Sequence, residues 1–270
     1  MEEILVGVDG SEPGNAALEW AAVQAGRRAA RLRLLHAAGP ADGYELMEDA
    51  AALARRAAEP ADLVTEVLPG HPGRVLLERA AGADLVVLGT HGHGSVASLM
   101  AGSVALAVAG CCPVPAVLVK TDASALHDAP VVVGVSAEPS AAVLGAGCRE
   151  ARLRGLAPRL VHAWFQPPVE GFGAPAWVPP LDTAPLLEGV REHLSRELEP
   201  WLSGRPDAAL VVAQGFAHDV LLEASAEAGL LVLGRHERPG WRLRALGATT
   251  RDLIRDAPCP VMVVGEPSPA

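Results

Sequence analysis

The sequence predicts an α/β protein built as two tandem units, each a five-stranded parallel sheet with helices on both faces. Three observations carry that prediction. Apolar runs bounded by Gly, Pro or charge alternate with Ala-, Leu-, Arg- and Glu-rich stretches of helical period. The resulting βαβαβαβαβ order occurs twice along 270 residues, a length that gives each unit room for its own core. Aromatics make up only 3% of the chain, so those cores must be Val, Leu and Ala, the composition of buried parallel strands under Ala-rich helices.

In the first half the strands are expected at Ile4–Asp9, Leu32–Ala37, Leu63–Leu68, Asp84–Gly89 and Val114–Lys120. Helices fall between them at Pro13–Ala29, Tyr44–Ala58, Gly73–Ala81 and Ser103–Gly110. Strands of the second half are expected at Val131–Val135, Arg159–Ala163, Ala208–Val212, Leu230–Gly234 and Val261–Gly265. The two halves align residue by residue. Gly70, Gly89, Gly102 and Pro115 lie 145 positions before Gly215, Gly234, Gly247 and Pro260, whereas Asp9 precedes Ser136 by 127 and His36 precedes His162 by 126. The growth in spacing places an insertion of 19 residues in the second copy, and the Pro- and aromatic-rich Trp164–Thr183 is its natural place, read as a loop and a candidate contact surface. Domains of 1–121 and 130–266 follow, joined by Thr121–Ala129.

A formal net charge of −10 with no Lys/Arg cluster argues against nucleic acid or an anionic membrane as partner, but not against a phosphate held by backbone amides. The acidic opening MEEILVGVDG does not read as a signal peptide, and no apolar run reaches the roughly 18–20 residues of a membrane span. A cytoplasmic location is the expectation. Cys111, Cys112, Cys148 and Cys259 show no C-x-x-C spacing and read as small buried hydrophobes.

Leu88–Val104, LGTHGHGSVASLMAGSV, is the most informative segment. A strand ends at Gly89, a glycine-rich loop follows, and a helix begins at Gly102-Ser103. Ligands of open parallel sheets bind outside the carboxyl ends of the strands. Gly89, Gly92 and Gly94 would permit positive φ and close approach of N–H groups to an anion, with Ser103 and the helix N-terminus adding donors. This is a phosphate cradle without lysine. Gly92-x-Gly94-x-x-Ala97 also matches a dinucleotide fingerprint, but after the fourth strand rather than the first. A P-loop, H-E-x-x-H and G-x-S-x-G are all missing, and no catalytic residue or protein metal ligand is expected.

The spacing Gly89-x2-Gly92-x9-Gly102-Ser103, the opening Val6–Ser11, the Gly70-His71-Pro72 element and the closing Cys112–Val119 together resemble the ATP-binding universal stress proteins, in the tandem arrangement of actinobacterial members. That resemblance implies Rossmann-like domains of the adenine nucleotide alpha hydrolase-like kind, with ATP and Mg²⁺ in the first. By position, Asp9 would face the nucleoside, Ala37 would offer its backbone to adenine, and Gly70 would line the ribose side. Gly89, His91, Gly92, Gly94, Gly102 and Ser103 would surround the phosphates, Asp9 being also a good turn-and-cap residue and a histidine in a polar loop being commonly solvated. It further implies that the fifth strands pair antiparallel within the chain as a pseudo-dimer, with a homodimer of the whole chain open to it.

The second copy departs at these positions. Ser136 replaces the aspartate, Gly215-Phe216-Ala217 replaces Gly-x-Pro, Gly234-Arg235-His236-Glu237 puts a carboxylate at the second glycine, and Ala248 follows Gly247. A remaining alternative there is an improvised anion site of Arg235 with Thr249 or Thr250. The sequence therefore points to an ATP-binding regulator with one site per chain, little or no turnover and an unidentified protein partner. A nucleotide-free interaction module and a slow ATP hydrolase are the rivals.

Overall fold

The computed structural model describes residues 1–37, 43–92, 101–120, 128–165, 184–203, 207–235 and 246–266. In the first copy the order is β1 (Glu3–Gly7), α1 (Glu12–Arg28), β2 (Arg31–Ala37), α2 (Tyr44–Ala58), β3 (Leu63–Leu68), α3 (Pro72–Ala80), β4 (Leu85–Gly89), α4 (Ser103–Cys111) and β5 (Ala116–Val119). The second runs β6 (Val131–Gly134), α5 (Ala141–Leu153), β7 (Arg159–Trp164), α6 (Ala184–Leu202), β8 (Ala209–Gln214), α7 (Ala217–Ser225), β9 (Leu230–Gly234), α8 (Ala248–Asp256) and β10 (Val261–Val264). Boundaries differ from the sequence expectation by a residue or two at most ends. Trp164 closes β7 instead of opening the inserted loop, and residues 166–183 of that loop lie outside the described residues.

Local rules account for the helix starts. Ser11 and Ser140 cap α1 and α5 by accepting from the N–H of Gly14 and Val143, while Pro72 opens α3 where its missing N–H costs nothing. Glu12 in the first turn of α1, with Arg27 and Arg28 in the last, complements the helix dipole.

All ten strands form one sheet in the order β3-β2-β1-β4-β5-β10-β9-β6-β7-β8. Each copy contributes a parallel five-strand half whose order reverses beside its first strand, at β1 and β6. The halves meet where β5 and β10 run antiparallel, with Met262 opposite Val117, Val261 opposite Leu118 and Val263 opposite Ala116. Val117 and Met262 are equivalents in the repeat, so the pseudo-two-fold passes through this pair. Both fifth strands, which would be apolar edges of isolated halves, are thereby buried.

Two apolar layers cover the sheet. One joins α1, α2, α5 and α6 through residues such as Trp20, Leu18, Met47, Leu144 and Leu198. The other joins α3, α4, α7 and α8 through Leu76, Val108, Leu221 and Ile254. Among the described residues no helix is long and apolar enough to cross a membrane.

Candidate functional site

A cavity of about 610 Å³ opens at the carboxyl ends of β1, β2 and β4, where the strand order of the first copy reverses. Of the residues singled out from the sequence, Asp9, Ala37, Gly89, His91, Gly92, Gly102 and Ser103 line it. Its apolar wall includes Leu35, Pro72 and Leu76, brought together only by the crossing of β2 and α3; of these, Leu35 and Leu76 belong to no motif. His93 and Gly94 lie outside the described residues.

Asp9 sits just past β1. Its Oδ1 accepts from the backbone N–H of Ser11 at 3.0 Å and from the Ser11 hydroxyl at 2.6 Å. Ser11 Oγ in turn accepts from Gly14 N–H at 3.1 Å and stands 3.2 Å from the carbonyl oxygen of His91. The carboxylate therefore ties the first turn of α1 to the loop after β4. Asp9 thus holds the turn and the Ser11 that caps α1, and it also lines the cavity.

Two glycines are required for closeness, and this corrects the expected reason for them. Gly89 and Gly92 are not among the glycines with positive φ. A Cβ at Gly89 would come within 2.6 Å of the backbone of Pro13 and Gly14, and one at Gly92 within 2.5 Å of Asp9 Oδ2. The loop after β4 is thus pressed against the β1–α1 turn. Gly102, by contrast, has room, since its nearest Cβ neighbour would be the Thr90 carbonyl oxygen at 3.5 Å.

Gly70 is not among the residues lining the cavity, whereas Pro72, two residues on, is. It has φ +135°, and its equivalent Gly215 has φ +153°. Both copies use this glycine for the turn into the following helix, and Pro72 makes the wall contact instead.

The second copy serves as an internal control for His36 as well. His36 Nδ1 lies 2.6 Å from the Val8 carbonyl oxygen, and His162 Nδ1 lies 2.8 Å from that of Val135. An acceptor-only partner places the proton on Nδ1, so each histidine holds the second strand to the end of the first. The bond persists in the copy without the glycine loop and is structural.

α4 presents its N-terminus to the cavity through Gly102, Ser103, Val104 and Ala105. No side chain caps it and no acidic residue occupies its first turn. Gly102 donates to the Thr90 carbonyl at 2.7 Å, which fixes where the helix begins. The positive end of a helix thus faces an open space bordered, among the described residues, by one carboxylate, a chemistry suited to an anion. Among the described residues no group of three His, Cys, Asp or Glu is placed to hold a metal ion.

The cavity of the second copy, about 590 Å³, is similar in size but not in place. It lies between the β6–α5 turn and the end of β9, lined by Ser136, Glu138, Ser140, Gly234, Arg235 and Glu266 among others, and it does not reach the start of α8. Ser136 donates to the Glu138 carbonyl, Thr250 to that of Gly234 at 3.3 Å, and Arg235 to that of Cys112 at 2.9 Å. These groups are turned to backbone carbonyls. Glu237, the expected repulsive carboxylate, lies outside the described residues.

Comparison with known proteins agrees with this architecture. A universal stress protein of Mycolicibacterium smegmatis is 30% identical over 292 residues, covering 97% of this chain and 96% of its own. A universal stress protein structure from Archaeoglobus fulgidus superposes with a TM-score of 0.64 at 17% identity, over 97% of this chain and 98% of its own. PA1789 of Pseudomonas aeruginosa, described as functionally unknown, gives 0.73 at 16% identity over 99% and 93%. At those identities the two solved structures speak to the fold alone. Residues 1–120 and 129–265 each match the universal stress protein family, and with both halves of the tandem accounted for, the chain belongs to that family.

Proposed function

We propose that the first copy binds an adenine nucleotide, ATP accompanied by Mg²⁺, as a regulatory ligand with little or no turnover. The observation that carries this is the uncapped N-terminus of α4 opening onto a cavity of about 610 Å³ that has an apolar wall on its other side. A volume in the range of about 300–1,000 Å³ suits a nucleotide-sized ligand. The phosphates would lie against the backbone of Gly92, Gly102 and Ser103 with the Ser103 hydroxyl, and the base against Leu35, Ala37 and Pro72. Among the described residues Asp9 is the one carboxylate lining the cavity, so Mg²⁺ would be held mainly by phosphate oxygens and water.

Slow turnover follows from how the polar groups are occupied. Asp9 Oδ1 is engaged by Ser11, His36 by Val8, and His91 Nδ1 lies 2.9 Å from Thr90 Oγ1. Among the described residues, each of these groups is thus tied to a protein partner through at least one atom, which works against its serving as a general base. The second copy serves in this reading as scaffold, its cavity stopping short of α8.

Isothermal titration with Mg·ATP tests the proposal, using the wild type and Gly102→Glu. The fold has room for a Cβ at Gly102, so the variant keeps its structure while placing a carboxylate at the helix N-terminus. Binding by the wild type and loss of at least about tenfold in the variant are expected. No heat from the wild type at millimolar ligand would favour a nucleotide-free interaction module. The exposed stack of Phe165 and Phe216, centroids 4.2 Å apart, is the feature that favours that alternative.

A further inference from the structure

We propose that Arg235, which belongs to the second copy, is a positioning residue for the nucleotide cleft of the first; this rests on the cleft reading above. Arg235 follows β9 at the place Thr90 holds after β4, and the two backbones are fixed alike. Thr90 N–H donates to Val119 O at 3.0 Å and Arg235 N–H to Val264 O at 2.7 Å. Only the side chains differ. Arg235 is 5% exposed, and its guanidinium crosses the pseudo-two-fold, where Nη1 donates to the carbonyl of Cys112 at 2.9 Å.

Cys112 is the C-cap of α4, a helix with no basic residue in its last turn. The cation that complements its negative end therefore comes from the other copy. α4 spans nine residues, about 14 Å, and its opposite end is the Gly102–Ser103 terminus of the cleft. One short, apolar, packed helix thus has its N-terminus in the ligand site of copy one and its C-terminus pinned by copy two.

The equivalent end of α8 is held differently. The Ala257 carbonyl, counterpart of that of Cys112, accepts from Lys120 Nζ at 2.8 Å, and Lys120 also donates to the Arg255 carbonyl. The counterpart of Lys120 is Gly265, and a Cβ there would come within 2.6 Å of Arg235 Cζ. The two clasps are therefore distinct solutions. In one, a lysine beyond β5 holds α8; in the other, an arginine beyond β9 passes over a glycine to hold α4. The arginine that stands where copy one has Thr90 secures the helix that copy one uses.

A helix fixed at both ends presents its N-terminal amides without reordering when phosphate arrives, and that preorganisation is what Arg235 would supply. Hydrogen exchange of the α4 amides and Mg·ATP titration test this in the full chain, with Arg235→Met, Arg235→Lys and Lys120→Met. Expected for Arg235→Met is faster α4 exchange and an affinity weakened about tenfold, with Arg235→Lys recovering part of it. Lys120→Met should speed exchange in α8, leave α4 unchanged, and alter affinity less than about twofold even if its melting temperature falls comparably. Unchanged α4 exchange in Arg235→Met, or equal loss of affinity in Arg235→Met and Lys120→Met, overturns the proposal. A wild type that fails to bind Mg·ATP overturns the cleft reading instead, and the α4 exchange comparison then still decides whether Arg235 positions the helix.

Discussion

At the end of β1, Asp9 and Ser11 close a small ring of hydrogen bonds that also reaches the His91 carbonyl, and Gly92 lies against the same carboxylate. Replacing Gly92 with Ala should push a methyl into Asp9 Oδ2 and cost about 1–3 kcal/mol, read by urea denaturation; an unchanged midpoint would mean that the loop relaxes freely. The sequence singles out Gly89, Gly92 and Asp9 together but suggests positive φ as the reason for the glycines, because what they press against, the Pro13–Gly14 backbone and the Asp9 carboxylate, is distant in the chain. The thiols make a second case. Burial pushes Cys112 up to about 11 and Cys259 up to about 12, so both stay protonated at neutral pH, and Cys148 is buried as well. Cys111 alone of the four is exposed, although all four read as buried from their apolar neighbours. Native alkylation at pH 8 followed by mass spectrometry should modify Cys111 first, and equal labelling of Cys112 would contradict the burial.

Between elements, charge is used in two unlike ways. α1 and α5 share a buried cluster in which Glu150 pairs with Arg28 and, at 2.9 Å, with Arg154, their side chains being no more than 4% exposed. Gln24 accepts from Arg28 at 2.9 Å. Removing the carboxylate takes from Arg154 the anion it pairs with inside the protein and leaves Arg28 with Glu2 at 3.2 Å, so Glu150→Ala should lose about 3–5 kcal/mol in denaturant titration. The exposed Arg74–Glu78 pair should give no measurable change on substitution of Arg74. At α7 and α8, His218 bridges Asp219 at 2.9 Å and Asp256 at 3.0 Å. The hydrogen bond His218 donates to Asp219, then that to Asp256, raises the His218 pKa above its ordinary value, while Arg255 and then His218 hold Asp256 down to about 2. With a raised folded pKa, the imidazolium contributes stability that is full below the unfolded value and is lost as pH rises through the folded one. The stability difference between wild type and His218→Gln should therefore be larger at pH 5.5 than at pH 8.5 in paired denaturation curves; a constant difference would rule out the charged bridge.

Across the whole molecule, the seam at Val117 and Met262 makes one ten-stranded sheet of two halves. Residues 1–120 alone would expose β5, four fully buried apolar residues, as an open edge. That fragment should elute from gel filtration as a dimer that pairs β5 with itself, as the repeat-equivalent pairing in the intact chain suggests. A stable monomer would show that the seam is dispensable. The lysine and arginine clasps beside the seam are each made by one copy on a helix of the other, so they belong to this scale and not to either half.

Much of this was already written in the chain. The alternation of apolar runs and helical stretches determines the strand and helix order, because a strand buried on both faces must be apolar and its covering helices must present an apolar stripe. The repeat determines that there are two halves, and the glycine spacing determines which of them keeps the loop after β4. Only the tertiary structure decided that Pro72 rather than Gly70 walls the cavity, that Gly89 and Gly92 answer to close contacts, and that Arg235 serves the opposite helix. Each of these depends on which atoms from remote segments come within van der Waals or hydrogen-bond distance. Periodicity and spacing carry no record of such approaches.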